Sequence, residues 1–269
     1  MTAQFSDTDS PETFGDLIRT WRQRRHLSQL ELSSQVDVST RHLSFVETGR
    51  AKPSRDMVLH LADHLDVPLR DRNQLLLSAG FAPVYPEGSL HSPQMLAIRE
   101  VIRQLLAGHD PYPAVVVDRW WNLVEANTGL LLIASQVSPE LLTPPVNVLR
   151  LALHPEGLAP NILNLGEFRG HLIGRLRRHV ALTADSELAD LLTELEGYPC
   201  DQPLEEMHGP GEVVVPLRLR MGDVELTMLS TVTTFGTPLD VTVAELVIET
   251  FFPADEATAS WLRDAVASL

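Results

Sequence analysis

Apolar residues recur at helical spacing through the first third of the chain. Phe14, Leu17, Ile18 and Trp21 stand at i, i+3, i+4 and i+7, with Thr13 as their cap. Ser28 and Glu31 form an S-x-x-E box that opens a second helix, whose buried face is Leu32, Ser33 and Val36. Asp37 falls at a tight turn, where aspartate can enter the left-handed region at modest cost. Ser39 caps a third helix with Leu43 and Val46 inward, and Gly49 ends it. Pro53-Ser54 starts a fourth helix with Met57, Leu61, Ala62 and Leu65 inward. Pro68 opens a fifth, holding Leu75, Leu76 and Ala79 before Gly80. The pattern predicts an all-α domain of five helices over 12–82, following a flexible terminus at 1–11.

A Pro- and Gly-rich boundary follows at 82–90, so 83–112 reads as a linker and connector helix. That helix, predicted over 92–108, carries Met95, Ile98, Val101, Ile102 and Leu105 on one face. It is a connector, a dimer helix, or an element packed on its own domain. From Pro113 the hydrophobic period changes. Residues 114–118 and 121–126 read as two strands joined by a short turn, and a helix follows from Asn127 to about Gln136. The middle, 146–198, is helical, with Phe168, Leu172, Ile173 and Leu176 at helical spacing. Val213, Val215, Leu217 and Leu219 then alternate, Met221-Gly222-Asp223 turns, and Val224, Leu226, Met228 and Ser230 alternate on the return. A last strand spans 244–252, before a terminal helix near Asp255. Residues 113–269 therefore predict an α+β domain with one antiparallel sheet and a helical insert.

Residues 28–50 have the layout of a helix-turn-helix, in which the second helix enters the DNA major groove. The formal net charge of −15 argues against a nucleic-acid binder until its distribution is considered. Residues 12–84 hold ten Lys and Arg against nine Asp and Glu, whereas 85–269 hold eleven against twenty-five. An acidic half joined to a near-neutral half confines DNA contact to the first. Cys200 is the only cysteine, which excludes a disulfide framework and a thiolate metal cluster. The polar, acidic N-terminus is unlike a signal peptide, and no apolar run approaches the roughly 20 residues of a membrane span. A cytoplasmic protein without membrane contact is expected.

The first 80 residues resemble the Xre-type helix-turn-helix family of phage and bacterial repressors. Ser28-Gln29, Leu32, Val38-Ser39, Leu43-Ser44 and Glu47-x-Gly49-Arg50 fall at that family's spacing. More narrowly, residues 41–55, 67–73 and 79–83 are similar to the MmyB-like subgroup of transcriptional regulators. In the second half, 117–122, Asn127, 147–150, 153–157, 235–238 and 249–255 match it too, so the resemblance spans nearly the whole chain. It implies a PAS-like ligand-binding domain after the DNA-binding head, of a kind associated with fatty-acid-like ligands.

By matching position, the recognition helix offers Ser39, Thr40, Arg41, His42, Ser44 and Phe45 to an operator. Arg41 is suited to bidentate contact with guanine, and Phe45 to packing on a thymine methyl. Gln29 resembles the glutamine that binds a backbone phosphate and braces the recognition helix, while Arg50, Lys52 and Arg55 are placed to meet phosphates. Glu47 is assigned to an intradomain salt bridge or cap. Such heads bind as dimers to half-sites about one helical turn apart, so a homodimer is expected.

His154, His171 and His179 raise the enzyme alternative, but their spacing fits no zinc pattern. No G-x-S-x-G elbow, Gly-rich phosphate loop or H-E-x-x-H occurs, so no enzyme, metal or cofactor is expected beyond a bound fatty acid or other apolar ligand. Trp121, Leu123, Ile133, Leu149, Phe168 and Leu172 are the candidate walls of a ligand cavity, against the alternative of a filled core. For a ligand carboxylate the candidate partners are Arg150 and Arg169. The competing functional reading is a DNA-binding protein whose second domain mediates dimerisation or protein contacts without a ligand.

Overall fold

The computed structural model describes residues 13–183, 185–203 and 214–269. The terminus expected to be flexible at 1–11, and Val213, lie outside them. The chain divides into two compact units, one of residues up to 87 with 239–241, the other of 88–238 and 242–269.

The first unit contains α1 (Phe14–Arg24), α2 (Gln29–Gln35), α3 (Thr40–Glu47), α4 (Arg55–His64) and α5 (Leu69–Ser78). Local chemistry sets these starts. Thr13 with Asp16 and Ser28 with Glu31 form reciprocal capping boxes, and the hydroxyls of Ser39 and Ser54 accept from the amides of His42 and Met57. Each cap satisfies an amide that the helix leaves unpaired, a contribution of about 1 kcal/mol. Left-handed residues separate the elements: Asp37 has φ 51° between α2 and α3, and Gly49 has φ 71° after α3. Ile18, Leu32, Leu43, Leu61, Leu65, Leu75 and Leu76 form a fully buried core. Val58, not Met57, occupies the inward row of α4. With α4 beginning at Arg55, the 3.6-residue repeat aligns 58, 61, 62 and 65, which leaves Met57 half-buried on the flank, as is Ala79 after α5.

The second unit begins with a 3-10 turn, Pro93–Met95, leading into α6 (Leu96–His109). β1 (Ala114–Val117), β2 (Leu123–Ala126) and α7 (Thr128–Ala134) follow, then α8 (Val148–Leu153), α9 (Leu165–Thr183) and α10 (Ser186–Glu196). β3 (Leu217–Met221), β4 (Val224–Thr233), the short α11 (Val241–Ala244, all but its first residue), β5 (Val247–Pro253) and α12 (Glu256–Ala267) complete it. The strands form one antiparallel sheet ordered β2-β1-β5-β4-β3, with α7 to α10 inserted between β2 and β3. This is the expected α+β architecture.

β1 is buried at every position because both faces are covered, which explains its unbroken Ala114-Val115-Val116-Val117 run. Val115 and Val117 join the large core beneath the insert, while Ala114 and Val116 meet α6 with Leu246 and Ile248. α6 packs one face on the sheet of its own unit. Its inward residues are Ile98, Ile102 and Leu106; Val101 and Leu105, expected on that face, are 42% and 45% exposed. A straight helix meets the sheet along i, i+4, i+8, and positions 101 and 105 fall outside that row.

Three strand boundaries differ from expectation. β2 starts at Leu123 because Trp121 adopts φ 66°, in a turn where the Asp118 carboxylate accepts from the amides of Trp120 and Asn122 at 2.8 Å each. Ala244 ends α11, and β5 starts at Val247. Val215 is buried but precedes β3, whose register with β4 closes on Met221 opposite Val224 through Gly222 at φ 60°.

Candidate nucleic-acid interface and ligand cavity

α2 and α3 are held by an acidic side chain at the end of α3. The Glu47 side chain has no solvent exposure. It accepts from Arg22 Nε at 2.7 Å and Nη2 at 2.9 Å, and from Gln29 Nε2 at 2.8 Å, which joins α1, α2 and α3 at one point. Arg22 also donates to the Leu27 carbonyl at 2.8 Å, and Arg19 to the Glu47 carbonyl at 3.2 Å. The expected intradomain salt bridge of Glu47 is present, and Gln29 donates to the same carboxylate. Arg22, absent from the sequence reading, is the missed member. Its signal was an arginine beside Trp21 on the apolar side of α1.

Burial pushes the Glu47 carboxyl up, but the hydrogen bonds from Arg22 and Gln29 and the nearby arginine charges outweigh it, so the group is held below its ordinary 4.5. Asp16 and Glu31 are held low by their contacts to Thr13 and Ser28. A carboxyl depressed in the folded state stabilises the fold above its unfolded pKa, and that contribution is lost as pH falls through the folded value. We therefore expect the first unit to lose stability on acidification below about 4.5. Glu47→Gln should flatten that dependence in urea titrations followed at successive pH values.

Ser33 and Thr40 hydroxyls meet at 2.8 Å, a second tie between α2 and α3. The Thr40 hydroxyl is thus directed at α2, and that of Ser39 caps the amide of His42, the helix-capping role expected of it. Arg41 is exposed, and its guanidinium lies 5.3 Å from the ring centroid of half-buried Phe45. That cation–π contact aligns two residues of the expected reading face. His42 and Ser44 are half-buried beside them. Arg50, Lys52 and Arg55 are exposed after α3, with Arg55 opening α4.

In the second unit a cavity of about 90 Å³ lies between the inner sheet face and α7, α8 and α9. Trp121, Ile133, Leu149, Phe168 and Leu172 line it, as expected. Leu123 does not; it packs with the small cluster of Val137, Val146 and Leu151. Residues missed from sequence include Leu217, Met228, Phe251 and, on an otherwise apolar wall, Glu249. The signal for Glu249 was a lone carboxylate within the apolar run 246–251. It pairs with Arg175 Nη1 at 3.1 Å, and the Arg175 guanidinium lies 4.8 Å from the Trp121 ring centroid.

The two arginines expected to meet a ligand carboxylate are engaged elsewhere. Arg150 makes a bidentate pair with Glu194 at 2.8 and 2.7 Å, in a separate polar cleft lined by Trp120, Asn122 and Asn147. Arg169 is buried and donates to the carbonyls of Leu195 and Glu196 at the end of α10, which a cation there satisfies well. His154 ends α8 and accepts from the Glu156 amide at 3.0 Å. Burial pushes the pKa of His171 and His179 down, with Arg175 and Arg119 adding to it. Among the described residues no three His, Cys, Asp or Glu side chains gather as a metal site, and no helix is long and apolar enough to cross a membrane.

A helix-turn-helix unit and an α+β unit enclosing an apolar cavity define a DNA-binding regulator with a ligand-binding domain. Residues 13–75 match the helix-turn-helix domain family, and residues 98–265, more than half the chain, match the MmyB-like transcription regulator ligand binding domain. The chain belongs to the MmyB-like transcription regulators. No curated protein is significantly similar to it. Among solved structures it is similar to one titled as an RNA-binding light-oxygen-voltage receptor, at 16% identity over 95% of this chain and a TM-score of 0.27. The match spans 62% of that receptor chain, and a likeness of this level bears on neither fold nor function.

Proposed function

We propose that the chain is a one-component, cytoplasmic transcription factor that binds a double-stranded operator as a homodimer and responds to a small apolar ligand. The observation that carries the DNA half is the brace on Glu47. It fixes α3 from behind, while Arg41, stacked on Phe45, stays exposed at its front. In this reading Arg41 and Phe45 read base edges; Gln29, Arg50, Lys52 and Arg55 hold phosphates. The ligand half is supported by the apolar cavity. At about 90 Å³ it is smaller than the ~150 Å³ apolar cavity that accepts benzene, so the ligand is compact or its entry opens the helical wall. Ligand changes operator affinity only to the extent that it binds the DNA-competent and DNA-incompetent states differently.

Operator fragments selected from genomic DNA provide the test. Arg41→Ala is expected to lower affinity by about tenfold or more per half-site and to relax preference at one base pair. Substituting Lys52 or Arg55 should weaken binding to all sequences alike and reduce the salt dependence. Arg41→Ala and Gln29→Ala proteins that both keep full sequence-specific affinity would place the reading surface elsewhere. Mass spectrometry of denatured protein separates ligand sensing from a purely protein-contacting second unit, which would release no apolar molecule.

A further inference from the structure

We propose that the cavity of the second unit selects a compact, neutral apolar molecule carrying a hydroxyl group, with Glu249 and the indole N–H of Trp121 reading that hydroxyl. The proposal rests on the ligand-sensing reading above and adds the chemistry of the ligand's polar end. Two residues with polar side-chain atoms belong to the otherwise apolar lining. One is Glu249 on β5, whose side chain is 10% exposed and is held through a single oxygen by Arg175. The other is Trp121, buried at φ 66°, whose Nε1 meets no acceptor among the described residues. Arg175 touches both, through its ion pair to Glu249 and its stack over the Trp121 ring, and so brings them to the same end of the cavity.

A buried indole N–H without an acceptor costs about 1–3 kcal/mol. A bulky residue at positive φ is a strained outlier of the kind that clusters at binding sites. A hydroxyl answers both polar groups, because it accepts from the Trp121 N–H and donates its proton to Glu249. A carboxylate has no proton to give and places a second negative charge beside Glu249. Arg175 offers it no compensation while Glu249 neutralises that guanidinium, and Arg150 and Arg169 are bound elsewhere. An ammonium meets the Arg175 charge and gives the indole N–H nothing to donate to.

The experiment compares 1-hexanol, hexanoate and hexylamine as probes of the full chain at neutral pH, by calorimetry and ligand-observed NMR. Hexanol is expected to bind roughly tenfold more tightly than either charged analogue. Glu249→Gln should narrow the hexanol-to-hexanoate ratio, because the amide removes the repelling charge, and Trp121→Phe should weaken hexanol while keeping the apolar wall. Hexanoate or hexylamine binding as tightly as hexanol to the parent protein overturns the proposal and leaves ligand sensing standing. A ratio unmoved in a folded Glu249→Gln variant also overturns it. If none of the three probes binds, the ligand-sensing reading falls with it.

Discussion

Replacing Glu47 with alanine is expected to destabilise the first unit by about 3–5 kcal/mol, the usual cost of breaking a buried ion pair from one side. Arg22, whose side chain is 10% exposed, would retain only the Leu27 carbonyl as partner for a buried guanidinium. Gln29 would lose its acceptor in the same step, so α3 would lose its polar ties to α1 and α2 at this point together. Hydrogen exchange locates the effect: amides of α1 and α3 should exchange roughly a hundredfold faster or more, while those of β1 and β5 keep their protection. Operator affinity should fall as well, although Glu47 touches no base in this reading. Pairing Arg22→Met with Glu47→Leu removes both charges and should recover most of the stability, since well-packed apolar groups replace a buried pair at little cost. A Glu47→Ala protein with parental exchange in α3 would show that the brace does not hold the reading helix.

Asn127→Leu is the second large effect, expected at about 3–4 kcal/mol in the second unit. The Asn127 Oδ1 accepts from the Ala114 amide at 2.8 Å and from the Leu130 amide at 3.1 Å, while Nδ2 donates to the Tyr112 carbonyl at 2.6 Å. One buried side chain therefore ties the start of β1 to the first turn of α7. Leucine fills the space and satisfies none of these groups. Asn127→Asp keeps the two accepted bonds and loses the donated one, so its loss should be smaller. Denaturant unfolding of the three proteins should rank them parent, aspartate, leucine. Because Ile133 on α7 lines the cavity, apolar-probe binding should decline in the same order. Equal midpoints for leucine variant and parent would mean that these backbone groups find other partners.

Much of the first unit was legible in the sequence because its determinants act over short range. Thr13, Ser28 and Ser39 cap residues three positions away, and Asp37 and Gly49 adopt the left-handed turns their chemistry favours. The inward row of α3, Leu43 and Val46, followed from hydrophobic spacing, and Arg41 lies outside it and is exposed. The second unit was legible as a list of elements and less so as a site. Nothing local reports that Arg22 meets Glu47 25 residues away, or that Arg175 meets Glu249 across 74. Arg150 and Arg169 looked available for a ligand because their partners on or at the end of α10 lie far along the chain.

By itself, then, the sequence determined where the helices of the first unit begin, which residues of α3 turn inward, and that the second domain alternates into a sheet. Caps, φ preferences and hydrophobic period need no distant partner to take effect. Tertiary structure decided that β1 lies between β2 and β5, that α6 turns Ile102 and Leu106 rather than Val101 inward, and that Glu249 faces the cavity. Those outcomes depend on which apolar faces meet once the chain closes on itself, and on which buried charges find partners there.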